Sequence, residues 1–208
     1  LRMLDTVREA VDAVDPTCGP ICDLFSGSGT VSKYFVNYRS VISADIQVYS
    51  SVLCDAEMNF LNEKIDVNSF INSIIQSKHR KMLIGLFEDL LNYEQESIEK
   101  AKEGEIERLY EIIEKGSIYI FDSEETVERS IALEQQLESL IINLKSHKCE
   151  HSVESMITRY YGGLYFSYKQ AIDLDCIEHF VFKTEGIKKN KLLAALLSTT
   201  SEIVNTVG

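Results

Sequence analysis

The sequence predicts an α/β fold: a partial parallel sheet opens the chain, and a large, mainly helical insert follows it. Three observations carry this expectation. Two short apolar runs, 20–25 and 40–45, flank a stretch of helical character, which is the strand–helix–strand pattern of a parallel sheet. The turn Gly27-Ser28-Gly29 stands between the first run and that stretch. From residue 66 onward the apolar positions recur mainly at helical spacing.

Each element has its own reason. Leu4, Val7, Val11 and Val14 share one face of a helix over 3–14, which is expected to pack against the first strand. Strand 20–25, helix 30–37, strand 40–45 and a helix from about 49 to 62 follow. Phe70, Ile71, Ile74 and Ile75 then form one helical stripe, and Leu83, Leu86, Phe87, Leu90 and Leu91 the next. Residues 94–115 are charged and amphipathic. Segment 117–121, Ser-Ile-Tyr-Ile-Phe, fits a short strand or a buried connector equally. Asp122 or Ser123 is expected to cap a helix running to about 146, with Ile131, Leu133, Leu137, Leu140, Ile141 and Leu144 as its apolar positions. Helices at 169–181 and 189–205 complete the pattern.

The chemistry concentrates at the glycine turn. Glycines at alternate positions allow positive φ and leave no Cβ between the turn and a ligand. Sixteen residues after Gly29 comes Asp45, ending the second apolar run. An acid there commonly grips the two hydroxyls of a ribose. A dinucleotide fingerprint needs a third glycine where Ser32 stands, so NAD is disfavoured. The Lys-[Ser/Thr] ending of a phosphate-cradling P-loop is missing too. What remains is a pocket for a nucleoside without a pyrophosphate, which S-adenosylmethionine fits. The plainer alternative is a simple strand-to-helix turn.

A resemblance follows from these residues. Asp23-Leu24-Phe25-x-Gly27-x-Gly29-Thr30-Val31-Ser32 resembles the cofactor motif of the Dam-like adenine-specific DNA methyltransferases, and Ala44-Asp45-Ile46-Gln47-x-Tyr49-Ser50 resembles their second motif. The segment from Tyr160 to Asp173 is similar to one that some restriction-type members carry before their catalytic strand. Leu1-Arg2-Met3-Leu4 resembles the tail of their N-terminal motif. The resemblance covers residues 1–60 and, more loosely, 155–208. It implies a partial Rossmann-like methyltransferase sheet holding S-adenosylmethionine. Asp23, Phe25, Gly27 and Gly29 would shape the floor, Asp45 would take the ribose, and Ile46 would lie against the adenine ring.

One departure is decisive for activity. The family acts through an Asp/Asn/Ser-Pro-Pro-aromatic loop, and this chain has only two prolines, Pro16 and Pro20, which are not adjacent. Such a loop accepts hydrogen bonds from the adenine amino group and stacks on the flipped base. No catalytic residue is therefore assigned. The expected function is the cofactor-binding portion of a site-specific DNA adenine methyltransferase, from a restriction-modification or phage-like setting and cut short of its catalytic half. The alternatives are a non-catalytic subunit or regulatory protein needing a partner chain that bears the loop, and a fragment of an RNA methyltransferase.

The expected division is 1–62 for the cofactor-binding portion, 63–190 for a helical insert with target recognition, and 191–208 for a helix leading to the catalytic half. Double-stranded DNA is the partner implied for the full-length protein. The formal charge of −12 argues against that partner, since phosphate contacts need a basic face. Yet residues 88–150 hold seventeen acids and seven bases, a balance of −10 that leaves the rest near neutrality. Arg159, Tyr160, Tyr161, Lys183, Lys188 and Lys189 are the candidate DNA-facing residues. The competing reading takes Tyr165, Phe166 and Tyr168 as core aromatics and the lysines as a solvated helix start.

No metal site is expected. His147, Cys149 and His151 splay apart on a helix, and His79 and His179 show no partner in the sequence. Asp173 and Asp175 read as polar groups of a helix face. Five scattered cysteines suit reduced thiols in a cytoplasmic protein. No membrane span is expected, because no apolar run reaches about eighteen residues, and the N-terminal residues show no signal-peptide pattern.

Overall fold

The computed structural model describes residues 3–59, 64–123, 126–148 and 153–205. Its elements are α1 (Leu4–Val14), β1 (Ile21–Asp23), α2 (Thr30–Phe35), β2 (Val41–Ser43), α3 (Val48–Met58), α4 (Val67–Ile75), α5 (Lys78–Leu86), α6 (Glu88–Lys102) and α7 (Glu107–Lys115). Then come α8 (Ile118–Asp122), α9 (Ile131–Ser146), a 3-10 turn (Val153–Ser155), α10 (Met156–Tyr161), α11 (Tyr168–Phe182) and α12 (Gly186–Ile203). Contacts divide the chain into two compact units. The first draws on Leu1–Ile65 and Val181–Ser198, the second on Asp66–Phe180 and Thr199–Gly208.

The expected fold class is corrected here. The chain is mainly helical, and the described residues contain a sheet of only two three-residue strands rather than a partial Rossmann-like methyltransferase sheet. The strand pairing itself has the expected sense: β1 and β2 run parallel, with Ile21 opposite Val41, Cys22 opposite Ile42 and Asp23 opposite Ser43. A two-stranded pair of this length lacks the neighbours that stabilise a larger sheet. Its support comes from α2, which packs against β2, α3 and α1.

Helix α1 differs from expectation in what holds it. None of its residues is buried, and Val14 stands exposed. Polar contacts anchor it to the chain after α2. Buried Arg39 pairs with Asp12 and with Asp15 at 2.8 Å and donates to the Asp15 carbonyl at 2.8 Å. The Tyr34 hydroxyl donates to Asp5, which raises the phenol to about 12.

The second unit holds a continuous core. Leu83, Leu86, Phe87, Leu90, Ile112, Ile118, Leu133, Leu137, Leu140, Leu144, Tyr168 and Ile172 belong to it. Serine and aspartate caps set the helix starts by accepting main-chain N–H groups: Asp66 from Ser69, Ser77 from Arg80, Ser117 from Ile120 and Ser130 from Leu133. Two of these caps correct the expectations for 117–130. Ser117 turns 118–122 into a helix rather than a strand, and Ser130 starts the next one, displacing Asp122 and Ser123 from that role.

Tyr168 organises the segment before α11. Its hydroxyl donates to the Gly116 carbonyl, and its side chain lies so close to Gly163 that a Cβ there would fall 2.7 Å from the phenol oxygen and 2.8–2.9 Å from ring carbons. Gly163 also has φ +79°. The glycines of the Tyr160–Tyr161–Gly162–Gly163 run thus make room for a core aromatic. Leu1, Arg2, Cys149 and His151 lie outside the described residues. No helix among the described residues is long and apolar enough to cross a membrane.

Candidate functional site

The glycine turn is built by the ends of the two parallel strands. After β1 the main chain stays paired with β2, since Ala44 N donates to Asp23 O at 2.8 Å and Ser26 N to Ala44 O at 3.1 Å. The turn itself needs positive φ, +51° at Gly27 and +80° at Gly29. Gly29 then serves as the N-cap of α2 in a left-handed conformation. A Cβ at Gly29 would stand 2.9 Å from the Cys54 Sγ, so α3 presses directly on the turn. A Cβ at Gly27 would meet nothing within 4 Å, so that side of the turn is open.

Asp45 joins the second strand to the turn. One carboxylate oxygen accepts the Gly27 N–H at 2.9 Å and the other the Gln47 N–H at 2.9 Å. These bonds, that from Gln47 foremost, hold its carboxyl below the ordinary 3.8. The Ser50 hydroxyl and the Ile46 N–H add to the same lowering. The crevice beyond the carboxyl ends of parallel strands is the general place for ligands in such arrangements.

The apolar candidates flank this polar centre. Phe25 is 90% exposed and Ile46 98%, and Leu24 is exposed beside them. Bulky side chains held in water at a strand end form a surface that a flat apolar ring would cover.

Asp23 takes a different part. It accepts the Ser32 hydroxyl at 2.8 Å, and Ser32 in turn accepts from Ser43 at 2.7 Å. Ser32 is fully buried, so this relay ties α2 to the ends of both strands. Sequence reasoning used Ser32 only to disfavour NAD and missed this linking role. The sole signal was a small hydroxyl residue where a third glycine was sought.

The first unit also carries a cleft of about 890 Å³ along α2, α3 and α12, lined by Ser28, Thr30, Lys33, Tyr34, Leu53 and Lys191 among others. It reaches the turn at Ser28 but includes neither Gly27 nor Asp45. The site at Asp45 is therefore an open ledge beside the cleft. The ledge, not the cleft, brings the glycine turn and the strand-end acid together.

The six DNA-facing candidates are divided between the two units. In the second, Arg159 is buried and pairs with Asp122 at 3.6 Å, Tyr160 stacks on Tyr119, and Tyr161 meets Tyr165 edge-on. In the first, Lys183 and Lys188 are exposed, and the Lys189 ammonium lies 4.6 Å from the Phe182 ring centre.

The remaining polar groups also find places. Asp173 pairs with Arg80 at 3.0 Å, and Asp175 is buried. His79 and His179, 100 positions apart in the chain, stack face to face. Cys18, Cys22, Cys54 and Cys176 are free thiols.

Among known proteins, the chain matches no family model, no curated protein and no solved structure. The methyltransferase likeness therefore rests on the quoted residues alone.

Proposed function

We propose that the ledge formed by Gly27, Gly29 and Asp45 binds S-adenosylmethionine, and that this chain is the cofactor-binding portion of a site-specific DNA adenine methyltransferase. The supporting observation is the Asp45 carboxylate at the end of β2, hydrogen-bonded to the Gly27 N–H in the turn after β1. In this reading the Asp45 carboxylate accepts the ribose hydroxyls. The adenine ring covers Ile46, and Phe25 borders the methionine end. Asp23 acts one step back by holding Ser32 and the start of α2.

The acceptor side comes from elsewhere. With Pro16 and Pro20 as the only prolines, the loop that would orient the adenine amine has to be supplied by further sequence or by a partner chain. This observation favours a second reading, a cofactor-binding subunit that is itself non-catalytic.

Calorimetric titration of the purified chain with S-adenosylmethionine and S-adenosylhomocysteine tests the binding step. Saturable binding supports the proposal, and heats indistinguishable from dilution overturn it. A tritiated-methyl transfer assay on mixed-sequence duplex DNA tests the missing acceptor side. No incorporation is expected from the isolated chain, and clear turnover would contradict the assignment of the acceptor loop to another segment.

A further inference from the structure

We infer that His79, Glu154 and His179, all in the second unit, form a binding site for a divalent transition-metal ion of the zinc class. The three come from separate elements: α5, the 3-10 turn and α11. One ligand atom from each lies within 4.8 Å of the other two. The two oxygens of Glu154 face the two rings, Oε2 at 3.8 Å from His79 Nδ1 and Oε1 at 3.7 Å from His179 Nδ1. These separations exceed hydrogen-bond length. Each, to a different oxygen of the carboxylate, approaches the edge of a tetrahedron built on bonds of about 2.0–2.1 Å, which is roughly 3.3–3.4 Å.

The elements carrying the ligands are fixed by other contacts. Arg80, next to His79, pairs with Asp173 on α11 at 3.0 Å, which locks α5 to α11. Asp175 on α11 accepts the N–H groups of Ile157 and Thr158 at 2.8 Å each, which locks α11 to the helix that follows the 3-10 turn. The ligand positions are thus also set by contacts outside the cluster itself. The two imidazoles are mostly buried, whereas the Glu154 side chain is 47% exposed. That opening provides a path for the ion and room for water in its coordination sphere.

The donor types select the ion. Two imidazoles and one carboxylate suit Zn2+, Co2+ or Ni2+ better than Mg2+ or Ca2+, which prefer all-oxygen sites. One adjustment accompanies loading. The rings are stacked 3.9 Å apart and 9° from parallel. A nitrogen lone pair lies in its ring plane, so one imidazole turns about its Cβ–Cγ bond to share the ion. A carboxylate set against two histidines far apart in the chain has no local sequence signature, which is why no site was expected from the sequence.

Titration of the full chain with Co2+, followed by visible absorption and by equilibrium dialysis, tests the inference. One ion per chain is expected, with d–d bands and without the intense near-ultraviolet band of cobalt–thiolate ligation. Zn2+ should displace the Co2+, and Mg2+ should not. Glu154→Gln, at a half-exposed position, should weaken binding at least tenfold with helix content unchanged by circular dichroism. The double variant His79→Gln/His179→Gln should abolish it. Absence of saturable binding at micromolar ion, a thiolate band, or an affinity unchanged by Glu154→Gln would each overturn the site.

Discussion

The carboxylate of Glu94, on α6, accepts the main-chain N–H of Tyr168 at 2.7 Å, at the start of α11 and 74 positions further along the chain. It also accepts from Lys169 at 3.2 Å. A buried acid thus takes the first two N–H groups of α11 from a distance, beside the local cap in which the Ser167 hydroxyl accepts the Gln170 N–H at 3.1 Å. Burial pushes this carboxyl up against the opposing pull of the two N–H groups. Glu94→Ala should therefore cost about 2 kcal/mol, the scale of a lost cap combined with unsatisfied donors. Urea unfolding followed by circular dichroism measures it, and a loss below about 0.5 kcal/mol, the low end for a cap, would show that the bonds contribute little.

The two glycines of the turn should respond unequally to alanine. Gly27→Ala strains only the backbone, at about 1–2 kcal/mol for a left-handed residue. Gly29→Ala adds a contact of 2.9 Å with the buried Cys54 thiol, beneath which lies the α3 backbone. Its thermal midpoint should fall further than that of Gly27→Ala. Equal shifts would mean that α3 moves away freely.

Ligand affinity should depend on Asp45. Asp45→Ala removes the acceptor assigned to the ribose and is expected to weaken S-adenosylmethionine binding by roughly ten- to a hundredfold, the scale for hydrogen bonds to a charged group. Asp45→Asn keeps one acceptor oxygen and should lose less. Calorimetry on the three proteins decides it, and equal affinities would remove Asp45 from the site.

Asp175 gives a pH signature. Burial raises its carboxyl from 3.8 to about 6, outweighing the hydrogen bonds from Thr158 and Ile157. A raised folded-state value means that the folded protein holds the proton more tightly than the unfolded chain. The associated stability is then fully present below 3.8 and is lost as pH rises through about 6. The stability advantage of wild type over Asp175→Asn should accordingly shrink across that window. Denaturant unfolding at several pH values measures the gap, and a gap that widens with pH would reverse the assignment.

What the sequence determined by itself was local. The strands at Ile21–Asp23 and Val41–Ser43, the glycine turn and the acid at 45 were legible because each depends on neighbouring residues: apolar runs, positive φ, and a short helical crossover between parallel strands. The helical stretch from 66 onward was legible for the same reason, and Leu133, Leu137, Leu140 and Leu144 are buried along one face of α9 as their spacing predicts. Tertiary structure decided the rest. Whether two strands recruit more neighbours depends on partners distant in the chain, and among the described residues the sheet stops at two. Apolar Val14 faces solvent because α1 is held by Arg39 and Tyr34 through its acids, contacts that periodicity does not encode. Ser32, Glu94 and the cluster of His79, Glu154 and His179 acquire their roles only when separate elements meet. Hydrogen-bond and ligand geometry are properties of distance in space, and helical spacing fixes those distances only within a few turns of chain.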